Sequence, residues 1–424
     1  MEKLTDKIKK IKTQDLAVFL SWFVILGMVF SPFLLSVAMI GIGVLAVFSL
    51  KGWMPVFHPD LLRHIRSYLS DKAYLVISLM FFIVLLSGVI TEPGNWDYWG
   101  ERIRLKIAFL LFPFAFAALP PFSDRAFKGI LYVFVGILFF TCLGIGLNYL
   151  VNFEEINKLM HQGQPMPTPR NHIRFSLLLA YSIIAAFFLY RKKFVLKYAW
   201  ETPVMLGVSG ILFLFLHLLS VRSGLAAFYI TAGILILQKT WVSKRYLTGL
   251  LLIALMAAVP LIAYYTIPSF KAKVDYSLYD RWVRKHDLSK SDYSDGARVM
   301  SIKMGLNIGN EHPVFGTGAG NLRQEVKVRY AEKFPEIEPK MPHNQLVSVY
   351  AGTGVVGLAL FLFAFFFPLF YKKAYRNTMF LSFNIIVFLS FMVENTIENS
   401  IGIAFYLFFL LLNLNYQTPQ REGE

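Results

Sequence analysis

His343 lies in Met341-Pro342-His343-Asn344-Gln345, directly before a long apolar run. An imidazole can take up a proton near neutral pH, and a helix start disfavours its charged form, so a neutral base is expected there. Four arginines stand in unusual places. Arg222 sits in the short link Ser220-Val221-Arg222-Ser223-Gly224, Arg298 follows Asp295-Gly296-Ala297, and Arg170 and Arg174 flank His172 before another apolar run. The planar guanidinium matches phosphate oxygens bidentately. Glu394 and Glu398 close a further apolar run and are natural partners for such arginines. A neutral base with arginines suits transfer from a lipid pyrophosphate: a hydroxyl attacks the sugar, and arginines neutralise the leaving group in place of a metal.

Each residue also has a plainer reading. Arg222 can anchor a helix end by snorkelling, Arg298 can be a surface arginine, and Arg170 and Arg174 can be ordinary interface residues. His343 can simply hydrogen-bond a neighbour such as Glu394 or Glu398. Arg102, Arg104 and Lys106 read as a salt-bridged set with Glu92, Asp97 and Glu101.

The elements that would position these groups are helices in a membrane. The chain has 424 residues, 56% hydrophobic and only 16% charged, against about 25% in soluble domains. That is the composition of an all-α polytopic membrane protein. Apolar runs predict twelve spans, with eleven as the alternative count, near 15–31, 33–50, 72–90, 103–120, 127–150, 174–190, 203–219, 224–238, 247–266, 344–370, 378–394 and 400–415. Ser31-Pro32 divides the first two as a tight hairpin. The net charge of +16 would suggest nucleic acid in a soluble protein, but loop topology accounts for most of it, so no nucleic acid is expected. Lys and Arg concentrate in segments that become cytoplasmic if the N-terminus is inside, such as Lys3–Lys12, Arg191–Lys193 and Lys372–Arg376. This puts both termini inside and the long polar insert outside. Trp96, Tyr98 and Trp99 fit an interfacial aromatic belt on that outer side. The lysine-rich start and uninterrupted apolar run fit a retained signal anchor, and the single Cys142 permits no intramolecular disulfide.

The expected division is an N-terminal bundle of about nine spans over 1–266, a periplasmic loop over 267–342, C-terminal membrane helices over 343–416 and a cytoplasmic tail over 417–424. Within the loop, Tyr276 to Ser294 reads as irregular. One helix opens at Asp295-Gly296 with Arg298 in its first turn and ends at Asn310-Glu311-His312-Pro313. A second, capped by Asn321, runs through Lys333. Gly316-Thr317-Gly318-Ala319-Gly320 reads as a flexible turn. Its spacing is not a dinucleotide fingerprint, and it follows a helix. No Cys/His cluster or close aspartate pair suggests a metal, and no nucleophile elbow is present.

Three pieces together resemble the O-antigen ligase and polymerase family: Asp295-Gly296-Ala297-Arg298, His312-Pro313-Val314-Phe315-Gly316-Thr317-Gly318, and Pro342-His343-Asn344. His343 and Gly352 match that family's His-x8-Gly pattern, and Arg222 stands where the family carries an arginine between spans seven and eight. The resemblance implies a metal-independent, cofactor-free glycosyltransferase of the GT-C type in the bacterial inner membrane, with its active site facing the periplasm. The donor would be a glycan on undecaprenyl pyrophosphate. The acceptor would be lipid A core for a ligase, and a second lipid-linked repeat for a polymerase; related enzymes glycosylate proteins. By matching, Arg222 and Arg298 would bind pyrophosphate, and His343 would activate the acceptor or position the donor. Arg170 and Arg174 have no matched counterpart and stay as further substrate-binding candidates, with Glu394 and Glu398 in support. Size and the single large insert resemble the ligase more than the protein glycosylators, and the reading taken is an O-antigen ligase in lipopolysaccharide biosynthesis, with an O-antigen polymerase as the alternative. A transporter or flippase of the same lipid is the competing class, disfavoured because mid-span regions are nearly free of charge while polar residues crowd one face.

Overall fold

The computed structural model describes residues 13–51, 54–192, 198–286 and 294–422. The lysines before Thr13, Lys193, Lys197 and the insert segment 287–293 with Asp292 lie outside the described residues. Helices dominate: α1 (Thr13–Phe30), α2 (Pro32–Val47), α3 (Leu61–Ser70), α4 (Lys72–Ile77), α5 (Leu79–Leu86), α6 (Trp96–Lys106), α7 (Ala108–Ala118), α8 (Asp124–Val151), α9 (Phe153–His161) and α10 (His172–Lys192). They continue as α11 (Glu201–Leu219), α12 (Arg222–Ser243), α13 (Tyr246–Thr266), α14 (Pro268–His286), α15 (Ser294–Glu311), α16 (Leu322–Lys333), α17 (Gln345–Phe370), α18 (Thr378–Val393) and α19 (Ser400–Glu422). The chain is an all-α polytopic membrane protein.

Among the described residues, nine helices are long and apolar enough to cross a membrane. Two more of the expected spans are shorter apolar helices, α2 and α18. The expected span at 103–120 is instead the pair α6 and α7, interrupted at Ile107, with Pro113 inside α7. The hairpin between α1 and α2 forms as expected. Ser31 accepts a hydrogen bond from the Leu34 amide and Pro32 occupies the first turn, where its missing N–H costs nothing. The second span ends early. Phe48–Lys51 (β1) pairs antiparallel with Met54–Phe57 (β2), Phe48 opposite Phe57. Aromatic and β-branched residues here favour the strand that an apolar count reads as helix.

Contacts divide the chain into two compact units. The first comprises Met1–Ile130, Arg298–Phe380 and Glu394–Glu424; the second comprises Leu131–Ala297 and Leu381–Val393. In the first, α15 and α16 of the insert pack on α17. Met304 and Ile308 from α15, Leu322, Val326 and Tyr330 from α16, and Ala351 from α17 form one buried cluster. The four-residue spacing on both insert helices makes the stripe that this contact requires. Gly305 permits a close approach, since a Cβ there would meet the Pro342 ring at 2.6 Å.

Two expectations for the insert are corrected. Residues 276–286 are not irregular: α14 runs to His286, docked in the second unit by buried Phe270 and Ala272 and by Ser269 Oγ donating to the Leu218 carbonyl at 2.7 Å. Packing outweighs its weak local helix signal. The glycine turn is not loose either. α17 breaks at Gly354, whose φ of 66° lies in the left-handed region. The break exposes backbone groups that a membrane cannot solvate. The turn fills them: Thr317 and Gly318 amides donate to Ala351 and Gly352 carbonyls, both at 3.0 Å, while Val355 and Val356 amides donate to Pro313 and Val314 carbonyls at 2.8 and 3.2 Å. Asn321 precedes α16 but makes no side-chain cap. Its Oδ1 accepts from the Glu92 amide and Asn95 Nδ2, and its Nδ2 donates to the Ile90 and Thr317 carbonyls.

Candidate active site

The first unit holds His343, Arg298, Glu394 and Glu398. His343 lies just outside α17. Asn344 is the cap, its Oδ1 accepting from the Val347 amide at 3.0 Å, so the His343 side chain is fixed by neighbours rather than by the first helical turn. The neighbour is Ser301 on α15, which is fully buried. Its Oγ donates to the Arg298 carbonyl at 2.8 Å, as a helical serine does three residues back. The same oxygen lies 3.2 Å from the His343 amide and 3.3 Å from His343 Nδ1. A hydroxyl has one proton to give and two lone pairs to offer. With its proton on the Arg298 carbonyl, Ser301 accepts from both His343 groups. The network therefore assigns the proton to Nδ1 and leaves the Nε2 lone pair as the basic site.

The electrostatics keep this ring neutral. Burial is the largest cause lowering the His343 pKa below its ordinary value, and the like charges of Arg298 and Lys340 add to it. The Glu394 carboxylate and the Met341 backbone pull the other way and are outweighed. A neutral imidazole matches the expectation, but its main cause is burial and not the helix dipole. α15 begins at Ser294, so Arg298 lies in the second turn rather than the first. It is half-buried, with its backbone tied to the serine that holds His343.

Glu398 does not pair with the candidate arginines. Its Oε1 accepts from Lys106 Nζ and from Gln345 Nε2, both at 2.7 Å, and its Oε2 lies 3.5 Å from Arg102 Nη1. Lys106 Nζ also donates to the Ile397 carbonyl at 2.7 Å, and the Ile397 amide donates to Gln345 Oε1 at 3.1 Å. Burial alone would raise the Glu398 carboxyl, but Lys106, the hydrogen bonds and Arg102 hold it below the usual carboxylate range. The reading of Arg102 and Lys106 as partners of Glu92, Asp97 and Glu101 is thus replaced by a knot joining α6, the start of α17 and the link before α19. Buried charge needs a partner with full hydrogen bonding, and this one is supplied from far along the chain. Through Gln345, the knot fixes the helix start two residues beyond His343.

The second unit holds Arg170, Arg174 and Arg222. Arg170 is exposed, and Arg174 is half-buried in the first turn of α10. Asn171 Oδ1 caps that turn by accepting from the Ile173 and Arg174 amides. The link bearing Arg222 is as short as expected. α11 ends at Leu219, Ser220 turns the chain with φ 55°, and Arg222 is the first residue of α12. Its side chain is not merely extended along the helix end: Nη1 donates to Ser277 Oγ on α14 at 2.7 Å. Lys273, one turn before Ser277, lies close enough for the Arg222 charge to act on it.

Ser301, Gln345, Lys273 and Ser277 were not singled out in the sequence. Ser301 was findable as the residue one turn after Arg298. The others depend on partners distant in the chain, or on a helix where irregular structure was expected.

Residues 207–362 match the family model described as O-antigen ligase. A comparison with curated proteins found no match. The matched segment runs from α11 into α17 and contains Arg222, Arg298 and His343, so over that segment the chain is similar to the O-antigen ligase family.

Proposed function

We propose that the protein transfers a glycan from undecaprenyl pyrophosphate to an acceptor hydroxyl at the periplasmic face of the bacterial inner membrane, ligating O-antigen to lipid A core. The observation that carries this reading is the Ser301–His343 pair, in which a buried, neutral imidazole has its Nδ1 proton engaged and Nε2 left as base. In the step, the acceptor oxygen forms a bond to the anomeric carbon and its proton passes to Nε2. The bond from that carbon to the pyrophosphate oxygen breaks, and the electron pair leaves with the lipid pyrophosphate. Arg298 is assigned the charge that develops on this leaving group, and Arg222 a phosphate-binding role. Arg170 and Arg174 are retained as further anion contacts. Glu394 raises the basicity of His343, and Glu398 supports the α17 start. Metal ions have no part in the proposed step, and no cofactor is required.

The test is transfer by the purified protein from a defined undecaprenyl-pyrophosphate glycan, with lipid A core, a second lipid-linked unit and a peptide offered separately. Glycosylated core supports ligation. Product only with the lipid-linked unit makes the protein a polymerase, and transport without any product makes it a flippase.

A further inference from the structure

A cavity of about 360 Å³ lies in the first unit, at the end of α17 remote from His343. The ends of α3, α7 and α17 wall it, and Asn415 of α19 completes the wall. One part of this wall is made of acceptors. Ser67 Oγ donates to the Ala117 carbonyl and Ser70 Oγ to the Ser67 carbonyl, both at 3.0 Å. A hydroxyl whose proton is engaged keeps its lone pairs, so both serines meet the cavity as acceptors. Asp71 Oδ1 accepts from the Ala73 amide at 2.8 Å, capping α4, and its Oδ2 remains. Asn415 is taken up within the wall: Nδ2 donates to the Phe116 and Leu119 carbonyls, and Oδ1 accepts from the Phe122 amide. Two serine oxygens and a carboxylate oxygen match the three N–H groups of a primary ammonium.

Lys372 supplies the opposite charge. It and Asp71 both line the cavity, yet neither forms an ion pair among the described residues. Lys72, beside Asp71, is exposed and outside the wall. Lys372 and Lys373 have φ of 47° and 56°, in the left-handed region that side chains seldom adopt. This turn after α17 brings Lys372 to the cavity, with Nζ 5.7 Å from the Tyr371 ring centre. An acceptor set for an ammonium and a lysine for an anion together describe a zwitterion. The surroundings indicate what carries it. Leu62, Ile65 and Leu69 form an exposed apolar face on α3, and Phe370 is exposed beside Tyr371. Apolar side chains exposed at the end of a span lie among acyl chains, which sets the cavity at headgroup level.

We propose that this cavity binds the phosphoethanolamine headgroup of a membrane phospholipid, with its ammonium on Ser67, Ser70 and Asp71 and its phosphate on Lys372. The site lies at the other end of α17 from His343 and does not depend on the transferase reading.

The purified full-length protein in detergent would be titrated with short-chain phosphatidylethanolamine, and with phosphatidylcholine and phosphatidylglycerol of the same chains. Bound lipid would be counted by native mass spectrometry. Phosphatidylethanolamine should bind about tenfold or more tightly than either, because choline carries charge without N–H groups and glycerol carries hydroxyls without charge. Asparagine caps a helix as aspartate does, so Asp71→Asn should fold. It should weaken phosphatidylethanolamine about tenfold and leave phosphatidylglycerol nearly unchanged. Lys372→Gln should weaken all three lipids. A folded Asp71→Asn protein that binds phosphatidylethanolamine as the unaltered protein does would overturn the proposal. If Asp71→Asn fails to fold, unchanged binding by the double variant Ser67→Ala, Ser70→Ala would overturn it instead. Phosphatidylcholine or phosphatidylglycerol binding as tightly as phosphatidylethanolamine would overturn the ammonium assignment. Free phosphoethanolamine binding as tightly as the lipid would overturn the membrane as its source.

Discussion

Under the proposed mechanism, Ser301→Ala isolates the contact that orients His343 as the base. The substitution removes the acceptor for the His343 amide and for Nδ1, at 3.2 and 3.3 Å. Both distances are longer than the usual 2.9–3.0 Å, so each bond falls at the weaker end of the range. A buried donor left without its acceptor costs about 1–3 kcal/mol. The amide contact is the same before and during reaction, so its loss lowers stability and leaves turnover alone. The Nδ1 contact strengthens as the ring becomes charged, so its loss raises the barrier. Taking about 1–2 kcal/mol for that term gives a turnover loss of roughly 5- to 30-fold. His343→Ala, which removes the base itself, should cost about 10² or more. The assay is single-turnover transfer at saturating donor and acceptor, with a melting curve for each variant. Turnover in Ser301→Ala equal to the unaltered protein would refute the tautomer assignment. A loss as deep as that of His343→Ala would refute the partition between positioning and chemistry.

The pH profile gives an independent reading of the same ring. His343 must be neutral to accept a proton, and burial with Arg298 holds its pKa below 6.5. Turnover should therefore persist as pH falls through 6.5 and decline only below it. Glu394→Gln removes a charge that raises the pKa, so the acid limb should move to still lower pH. A limb at or above 6.5, or one moving upward in Glu394→Gln, contradicts the proposed electrostatics.

Arg222→Lys and Arg298→Lys should each lose most transfer activity while inserting normally, because an ammonium cannot reproduce a bidentate fork; unchanged rates in both would remove the arginines from the mechanism. Glu398→Gln strands Lys106, so thermal stability should fall by about 3 kcal/mol or more, read as a lowered melting temperature, whereas an unchanged melt would make the knot incidental. For topology, Glu336→Cys in a Cys142→Ser background should react with an impermeant reagent in intact spheroplasts and Lys372→Cys should not, with the opposite pattern reversing the orientation. The sequence offers no metal-ligand cluster, so transfer should survive EDTA, and activity restored only by Mg²⁺ or Mn²⁺ would reveal a missed site.

The helices were legible because membrane spans announce themselves by length and apolarity, and because Ser31-Pro32 marks the hairpin between the first two. What stayed hidden depends on partners far along the chain. Nothing near Lys106 indicates that Glu398 will neutralise it. Nothing in Gly316-Thr317-Gly318 indicates that carbonyls at a helix break will receive its amides. Asn321 shows the same limit: its type suits a cap, but long-range acceptors and donors claim its side chain. The candidate site was legible as residue types, and Ser301 supplies the connection between them that spacing alone did not show.

That connection gives the His-x8-Gly spacing a physical reading. From Asn344 to Gly352 the chain climbs α17 by about 1.5 Å per residue, a little over two turns. His343 at the lower end is held by Ser301 of α15; Gly352 at the upper end receives the Gly318 amide from the turn that follows α15. The same insert helix and its exit turn thus grip α17 at both ends of the motif. Inserting or deleting one residue between His343 and Gly352 would rotate one end by about 100° relative to the other. Either the turn would leave the backbone groups around Gly354 unfilled, or the imidazole would leave Ser301. A fixed interval is therefore what an imidazole anchored outside the helix and a helix break filled by the same insert together require.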